Sequence, residues 1–172
     1  ILEEEQYVTH MGARMLSAKG SRLVALILAY KRIEKESIVE DPFVSSVIGA
    51  VQLALQEKGY FLLLYSNPDM EDCVKISREW NVDGIILLGA KREGYYKMKE
   101  SLSVPVVSID TPFSATDAEY TNIGLEDFEA AKEMTRYLFS MGHRKIAFFS
   151  LTEGGELLEK HYIDSERYRG FK

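Results

Sequence analysis

The amino-acid sequence predicts an open, doubly wound parallel α/β sheet, and three observations carry that prediction. The run Ile85-Ile86-Leu87-Leu88-Gly89 is apolar throughout, bounded by Asp83-Gly84 before and Ala90 after, and too short for a helix that must bury itself; it reads as a strand covered on both faces. Further runs of the same kind stand at residues 23–29, 60–65 and 104–109. Between them lie stretches of helical character, and parallel strands need such crossovers. Four β-α units in series imply right-handed crossovers and a doubly wound sheet.

Each element has a local reason. Residues 13–18 carry good helix formers, and Gly20 would stop that short helix. Residues 23–29 form the first buried strand, and the charged tract 31–40 reads as a long solvated loop. Asp41-Pro42 opens a helix with an acceptor at its cap and proline in its first turn. Val44, Val47, Ile48, Val51 and Leu55 make one apolar stripe along it, and Lys58-Gly59 ends it. The second strand spans 60–65, Asn67-Pro68-Asp69 turns the chain, and 71–80 is the second helix. After the central strand, 92–102 is a third helix and 104–109 a fourth strand, with Pro105 at its start where a missing N–H costs least. Residues 111–117, rich in Pro, Ser, Thr and Ala, read as a linker and mark a domain border. Beyond it a short strand at 120–125, a long amphipathic helix at 127–141 ended by Gly142, a buried strand at 145–150 that opens a second sheet, and a helix start at 164–171 are expected.

Composition narrows the function. The 172 residues are 46% hydrophobic and 28% charged, which is ordinary for a globular chain, and Lys and Arg number 21 against 27 Asp and Glu, for a net charge of −6. That balance argues against this segment being a nucleic-acid surface in itself. The single Cys73 forms no internal disulfide, which fits a reducing cytoplasm, and no apolar run approaches the ~20 residues of a membrane span. His10, His143 and His161 lack partners at metal-ligand spacing, so no metal is expected. Cys73 has no evident base and reads as a packing residue, and no phosphate-binding glycine loop follows the first strand. No cofactor is expected, and an enzyme is not.

Position says more. In an open parallel sheet, ligands bind beyond the carboxyl ends of the strands. Those ends carry Tyr30 and then Asp41-Pro42-Phe43, Ser66-Asn67, Gly89-Ala90 and Asp110. Carboxylate, amide and aromatic groups on one rim suit a polyhydroxylated ligand, whose hydroxyls need donors and acceptors and whose apolar face needs an aromatic. Asp41 reads better as a helix cap; Phe43 and Asp110 stand open between a structural and a binding role.

The chain resembles the LacI/GalR family of bacterial transcription regulators in a series of motifs: Tyr7-Val8-Thr9-His10-Met11-Gly12-Ala13-Arg14-Met15-Leu16, Asp41-Pro42-Phe43, Gly59-Tyr60, Val82-Asp83-Gly84-Ile85-Ile86, Val104-Pro105-Val106-Val107-Ser108-Ile109-Asp110, Gly142-His143-Arg144-Lys145-Ile146 and Arg167-Tyr168-Arg169-Gly170-Phe171. They run in family order from end to end. The resemblance implies a periplasmic-binding-protein-like effector domain, here a first lobe and the start of a second. It divides the chain into the end of a DNA-binding region and hinge helix at 1–20, an N-terminal lobe at 21–117, and a crossover with a truncated C-terminal lobe at 118–172. Ala13, Arg14 and Leu16 are then the DNA-binding hinge, with Leu16 wedged between base pairs of the operator, while most of the helix-turn-helix is missing. Phe43 is the aromatic on the effector, Asp110 the carboxylate at the cleft, and Arg167 the second-lobe arginine that hydrogen-bonds there.

Three departures accompany the match: the loop at 31–40 is longer than is common in the family, the Asp-Asn usual at the lobe border reads Glu126-Asp127, which puts Glu126 among the implied binding residues, and the second lobe is expected to be cut short after one strand and the start of a helix. The implied whole is a cytoplasmic homodimeric regulator, a repressor answering to a sugar or sugar derivative, with no membrane association. An extracytoplasmic sugar-binding protein of a transporter shares the fold, but the Ala13-Arg14-Met15-Leu16 motif speaks against it.

Overall fold

The structure, a computed structural model, describes residues 20–30, 37–111, 113, 116–149 and 162–172. Five parallel strands, β1 (Leu23–Leu28), β2 (Phe61–Ser66), β3 (Gly84–Leu88), β4 (Val106–Ile109) and β5 (Asn122–Ile123), form one sheet in the order β2-β1-β3-β4-β5. The winding reverses between β1 and β3, as a doubly wound sheet requires. The helices are α1 (Pro42–Glu57), α2 (Met70–Glu79), α3 (Arg92–Ser101), α4 (Asp127–Ser140) and α5 (Tyr162–Phe171).

Alternation along the strands explains why the central runs are apolar at every position. Ala25, Ile27, Ile85, Leu87 and Val106 pack with Cys73 and Val74 of α2 and Tyr95 and Met98 of α3. Leu26, Leu28 and Leu88 pack on the opposite face against Val44, Val47, Ile48 and Val51 of α1. Each strand residue therefore meets a helix whichever way it points, and each fully buried aliphatic contributes about 1.5–3 kcal/mol. The helix starts follow the sequence: Asp41 Oδ1 accepts from the Phe43 and Val44 amides at 2.9 and 3.0 Å, and Asp69 Oδ1 from those of Glu71 and Asp72 at 2.7 and 3.2 Å. Asp41 is thus a cap.

Several expectations are corrected. The end of the supposed loop is a 3-10 turn, Ile38–Glu40, with Ile38 packed on the α1 side of the core; residues 31–36 lie outside the described residues. Pro105 stays out of β4, yet its carbonyl accepts from Ile85 N at 2.9 Å and so begins the pairing. The stretch after β4 is no loose linker where it is described, since Thr111 is buried and Phe113 packs with Tyr95. Residues 145–149 are not a strand, and Phe149 is 91% exposed. Among the described residues no neighbouring strand offers that segment a ladder, and backbone groups without one stay in irregular chain. Instead Phe148 lies on α5, its ring centroid 5.5 Å from those of both Tyr168 and Phe171. Residues 120–125 shrink to the two-residue β5 on the edge of the first sheet.

Candidate ligand cleft at the carboxyl edge of the sheet

A cleft of ≈ 350 Å³ opens beyond β4 and β5, lined by Asp110, Thr111, Phe113, Tyr120, Asn122, Gly124, Leu125, Glu126 and Asp127. Its first wall is tied down by Asn122. The Asn122 Oδ1 accepts from Ser108 Oγ at 2.8 Å and from Thr111 N at 3.1 Å, while its Nδ2 donates to Thr111 O at 3.1 Å. Thr111 Oγ1 in turn donates to Ala90 O at 3.2 Å, which joins the end of β4 to the end of β3. With both polar ends of a half-buried amide used, the segment after Asp110 has little freedom.

The second wall is aromatic. Phe113 and Tyr120 stack face to face with centroids 4.0 Å apart and planes 6° from parallel, and Tyr95 and Tyr96 meet Phe113 edge-on at 5.0 and 6.0 Å. The Tyr95 hydroxyl accepts from Thr121 N at 2.8 Å. Such a cluster gives a firm apolar surface beside the polar groups.

The floor is charged. Asp110 sits at φ +55 with its amide donating to Ile123 O at 2.8 Å, so the end of β5 holds it in place. Burial, and then the nearby Asp127, raise its carboxyl above the ordinary carboxylate value, while Arg167 and a bond from the Leu125 backbone pull the other way. Arg167 Nε donates to Asp127 Oδ1 at 2.7 Å. One guanidinium from α5 thereby serves two carboxylates, Asp127 at the start of α4 and Asp110 at the end of β4. Among the described residues the guanidinium bonds through Nε alone, which leaves its two terminal nitrogens as donors.

Of the other expected residues Glu126 is on the cleft lining, whereas Tyr30, Phe43 and Asn67 are not among the residues that line it. The half-buried Tyr30 ring lies over Gly89, where a Cβ would come within 2.5 Å of it and φ is +73. Burial, with Asp110 and Asp41 adding to it, raises its hydroxyl, which stays protonated at neutral pH beside two acids. Phe43, at the first turn of α1, is 46% exposed and absent from both core clusters. Asn67 is occupied locally: its Nδ2 donates to the Tyr65 hydroxyl and to Asp72, and its Oδ1 accepts from Asp69 N at 2.8 Å. Glu126 lines the cleft and precedes α4 without capping it through its side chain. Ala13, Arg14 and Leu16 lie outside the described residues. Sequence reading passed over Phe113, Tyr120 and Asn122, and met Asp127 only as a departure at the lobe border; the signal available was two aromatics bracketing a Ser/Thr-rich stretch.

Among the described residues no group of three His, Cys, Asp or Glu stands close enough to hold a metal ion, and no helix is long and apolar enough to cross a membrane. A doubly wound parallel sheet with a cleft beyond its carboxyl ends is the arrangement in which open α/β domains take small ligands. Comparison with known families makes this specific: the family of periplasmic binding proteins and sugar binding domain of LacI family matches residues 24–161, and the chain belongs to it.

Among curated relatives, the HTH-type transcriptional regulator GntR of Escherichia coli (strain K12) is 28% identical over 97% of this chain and 48% of its own length. The HTH-type transcriptional regulator MalR of Staphylococcus xylosus is 26% identical over 89% of this chain and 45% of its own length. A solved transcriptional regulator CelR-cellobiose complex shares the fold with a TM-score of 0.72 at 20% identity, covering 99% of this chain and 48% of that one. The chain spans about half the length of the curated relatives it matches.

Proposed function

We propose that this chain is the effector-sensing part of a ligand-responsive transcriptional regulator, a repressor controlled by a sugar or sugar derivative held between two lobes. The observation that carries this reading is the Asp110, Asp127 and Arg167 cluster, in which Arg167 of α5 bonds Asp127 on the cleft lining and is near enough to Asp110 to lower its carboxyl. An acceptor, a fork of donors and the Phe113–Tyr120 face together match the needs of a sugar. A ligand that bonds to both sides favours one arrangement of the lobes over another, and only such differential binding can shift a conformational equilibrium.

Operator DNA would be held by Ala13, Arg14 and Leu16 and by a helix-turn-helix outside this sequence, in a homodimer that sits in the cytoplasm without a membrane anchor. The regulators among its relatives support this reading over a transporter's extracytoplasmic sugar-binding protein. It is tested by selecting a duplex from a random library with the complete protein and titrating the complex with cellobiose, maltose and their monosaccharides. Release of the duplex by one of these at low millimolar concentration or below is expected; a protein that retains no duplex contradicts the reading.

A further inference from the structure

The opposite edge of the sheet carries an arrangement that ligand binding leaves unexplained. Asp83, just before β3, accepts three hydrogen bonds from the chain entering β1: Oδ1 from Ser21 N at 2.8 Å and Ser21 Oγ at 3.1 Å, and Oδ2 from Arg22 N at 2.8 Å. Its own amide donates to Leu23 O at 2.7 Å. The two consecutive amides form a concave nest around the carboxylate, an anion site made of backbone.

The entering chain adopts an unusual conformation to make that nest. Gly20 has φ +122 and Arg22 has φ +55, and a Cβ at Gly20 would stand 2.7 Å from Asp83 Oδ2. An arginine in the left-handed region is strained, and such strain persists only where the surroundings over-determine it. The surroundings here do. Arg22 O accepts from Phe61 N at 2.7 Å, so β2 grips the chain from the other side. Asp83 is itself presented rigidly, because α2 ends in Asn81 at φ +47 with Asn81 N donating to Arg78 O at 3.1 Å and Val82 N to Ser77 O at 3.2 Å.

A buried first strand needs none of this to pair with its neighbours; what the nest adds is a fixed direction for the chain at Gly20. We propose that Asp83 is a positioning residue that fixes where and in which direction the DNA-contacting segment at residues 1–19 joins the effector lobe. The inference rests on the regulator reading above and adds to it a named joint, roughly 20 Å of strand away from the cleft on the far edge of the same sheet. Movement of the lobe then reaches that segment through a stiff attachment.

The test uses the complete protein, the duplex it selects from a random library, and the variants Asp83→Asn and Gly20→Ala. Asp83→Asn keeps a side chain of the same shape but offers one acceptor oxygen in place of two, and Gly20→Ala pushes on the carboxylate from the other side. Both are expected to keep the parent's near-ultraviolet circular dichroism at 25 °C, which reports the packing of Tyr95, Phe113 and Tyr120, while their affinity for the duplex falls at least tenfold. Variants that bind the duplex like the parent overturn the proposal. So does a loss of duplex binding that only tracks a loss of the dichroism, since that is the signature of a residue holding the fold together. If the parent retains no duplex, the regulator reading itself fails and this inference with it; if the parent does and the variants match it, only the joint fails.

Discussion

At the scale of single residues, the Asp110 carboxylate is held at a cost to stability. Burial and Asp127 raise the Asp110 carboxyl above 3.8, so the folded chain holds that proton more tightly than the unfolded chain does. The sign follows from linkage: no penalty exists below 3.8, stability falls as pH rises through the folded value, and the full penalty applies above it. Asp110→Asn removes the charge and is expected to melt above the parent at pH 7, with the difference closing as pH falls toward 3.8; calorimetric melts at stepped pH check this. A variant that melts below the parent at pH 7 contradicts it. Cys73 is the opposite case, a residue without chemistry. It is fully buried, and burial, with Asp69 and Asp72 adding to it, pushes its thiol up to about 11. Since the thiolate is the reactive form, a disulfide reagent at pH 8 should label it only on unfolding. Rapid stoichiometric labelling of the native chain would show that the helix-sheet contact at Cys73 opens easily.

Elements were legible in the sequence where a local rule and the packing agree. Asp41-Pro42 announces the start of α1, and Asp41 supplies both bonds that the motif promises. Asp41→Ala should destabilise the chain by about 1 kcal/mol, measured by urea unfolding, and Asp41→Asn by much less. The uniformly apolar strands β1 and β3 were legible because both their faces are covered. Residues 146–149 look just as apolar, and their pattern alone does not reveal that a strand also needs a neighbour to pair with. The site was legible only in outline for a related reason. Strand ends can be counted along the chain, which leads to Asp110 on the cleft lining, but the bonds that build the walls join Asn122 to Thr111 and Tyr95 to Thr121 across turns that no spacing rule predicts. Asn67 shows the converse: it stands at the right strand end, yet the turn that makes it a good residue there uses its polar atoms.

For the molecule as a whole, the two proposed tasks fall at opposite ends of the strands, the candidate ligand cleft beyond the carboxyl ends and the proposed Asp83 joint at the amino ends. Leu53 of α1 and Phe61 and Leu64 of β2, the edge strand farthest from β5, are at least 40% exposed. A two-fold operator calls for an isologous dimer, and α1 with its neighbours is the surface we propose for it. Sedimentation of the complete protein at micromolar concentration should show a dimer, and Leu53→Lys should shift it to monomer; a monomeric parent would contradict the assignment.

The central claim is that Asp110 and Arg167 hold a sugar between them, and calorimetric titration of the complete protein tests it most directly. The sugar is the one, among cellobiose, maltose and their monosaccharides, that raises the thermal melt. A buried hydroxyl left unpaired costs about 1–3 kcal/mol, so Asp110→Ala and Arg167→Ala should each weaken binding by roughly ten- to a hundredfold while both variants stay folded. If both bind that sugar as the parent does, the ligand lies elsewhere and the cluster serves only to join α5 to the sheet.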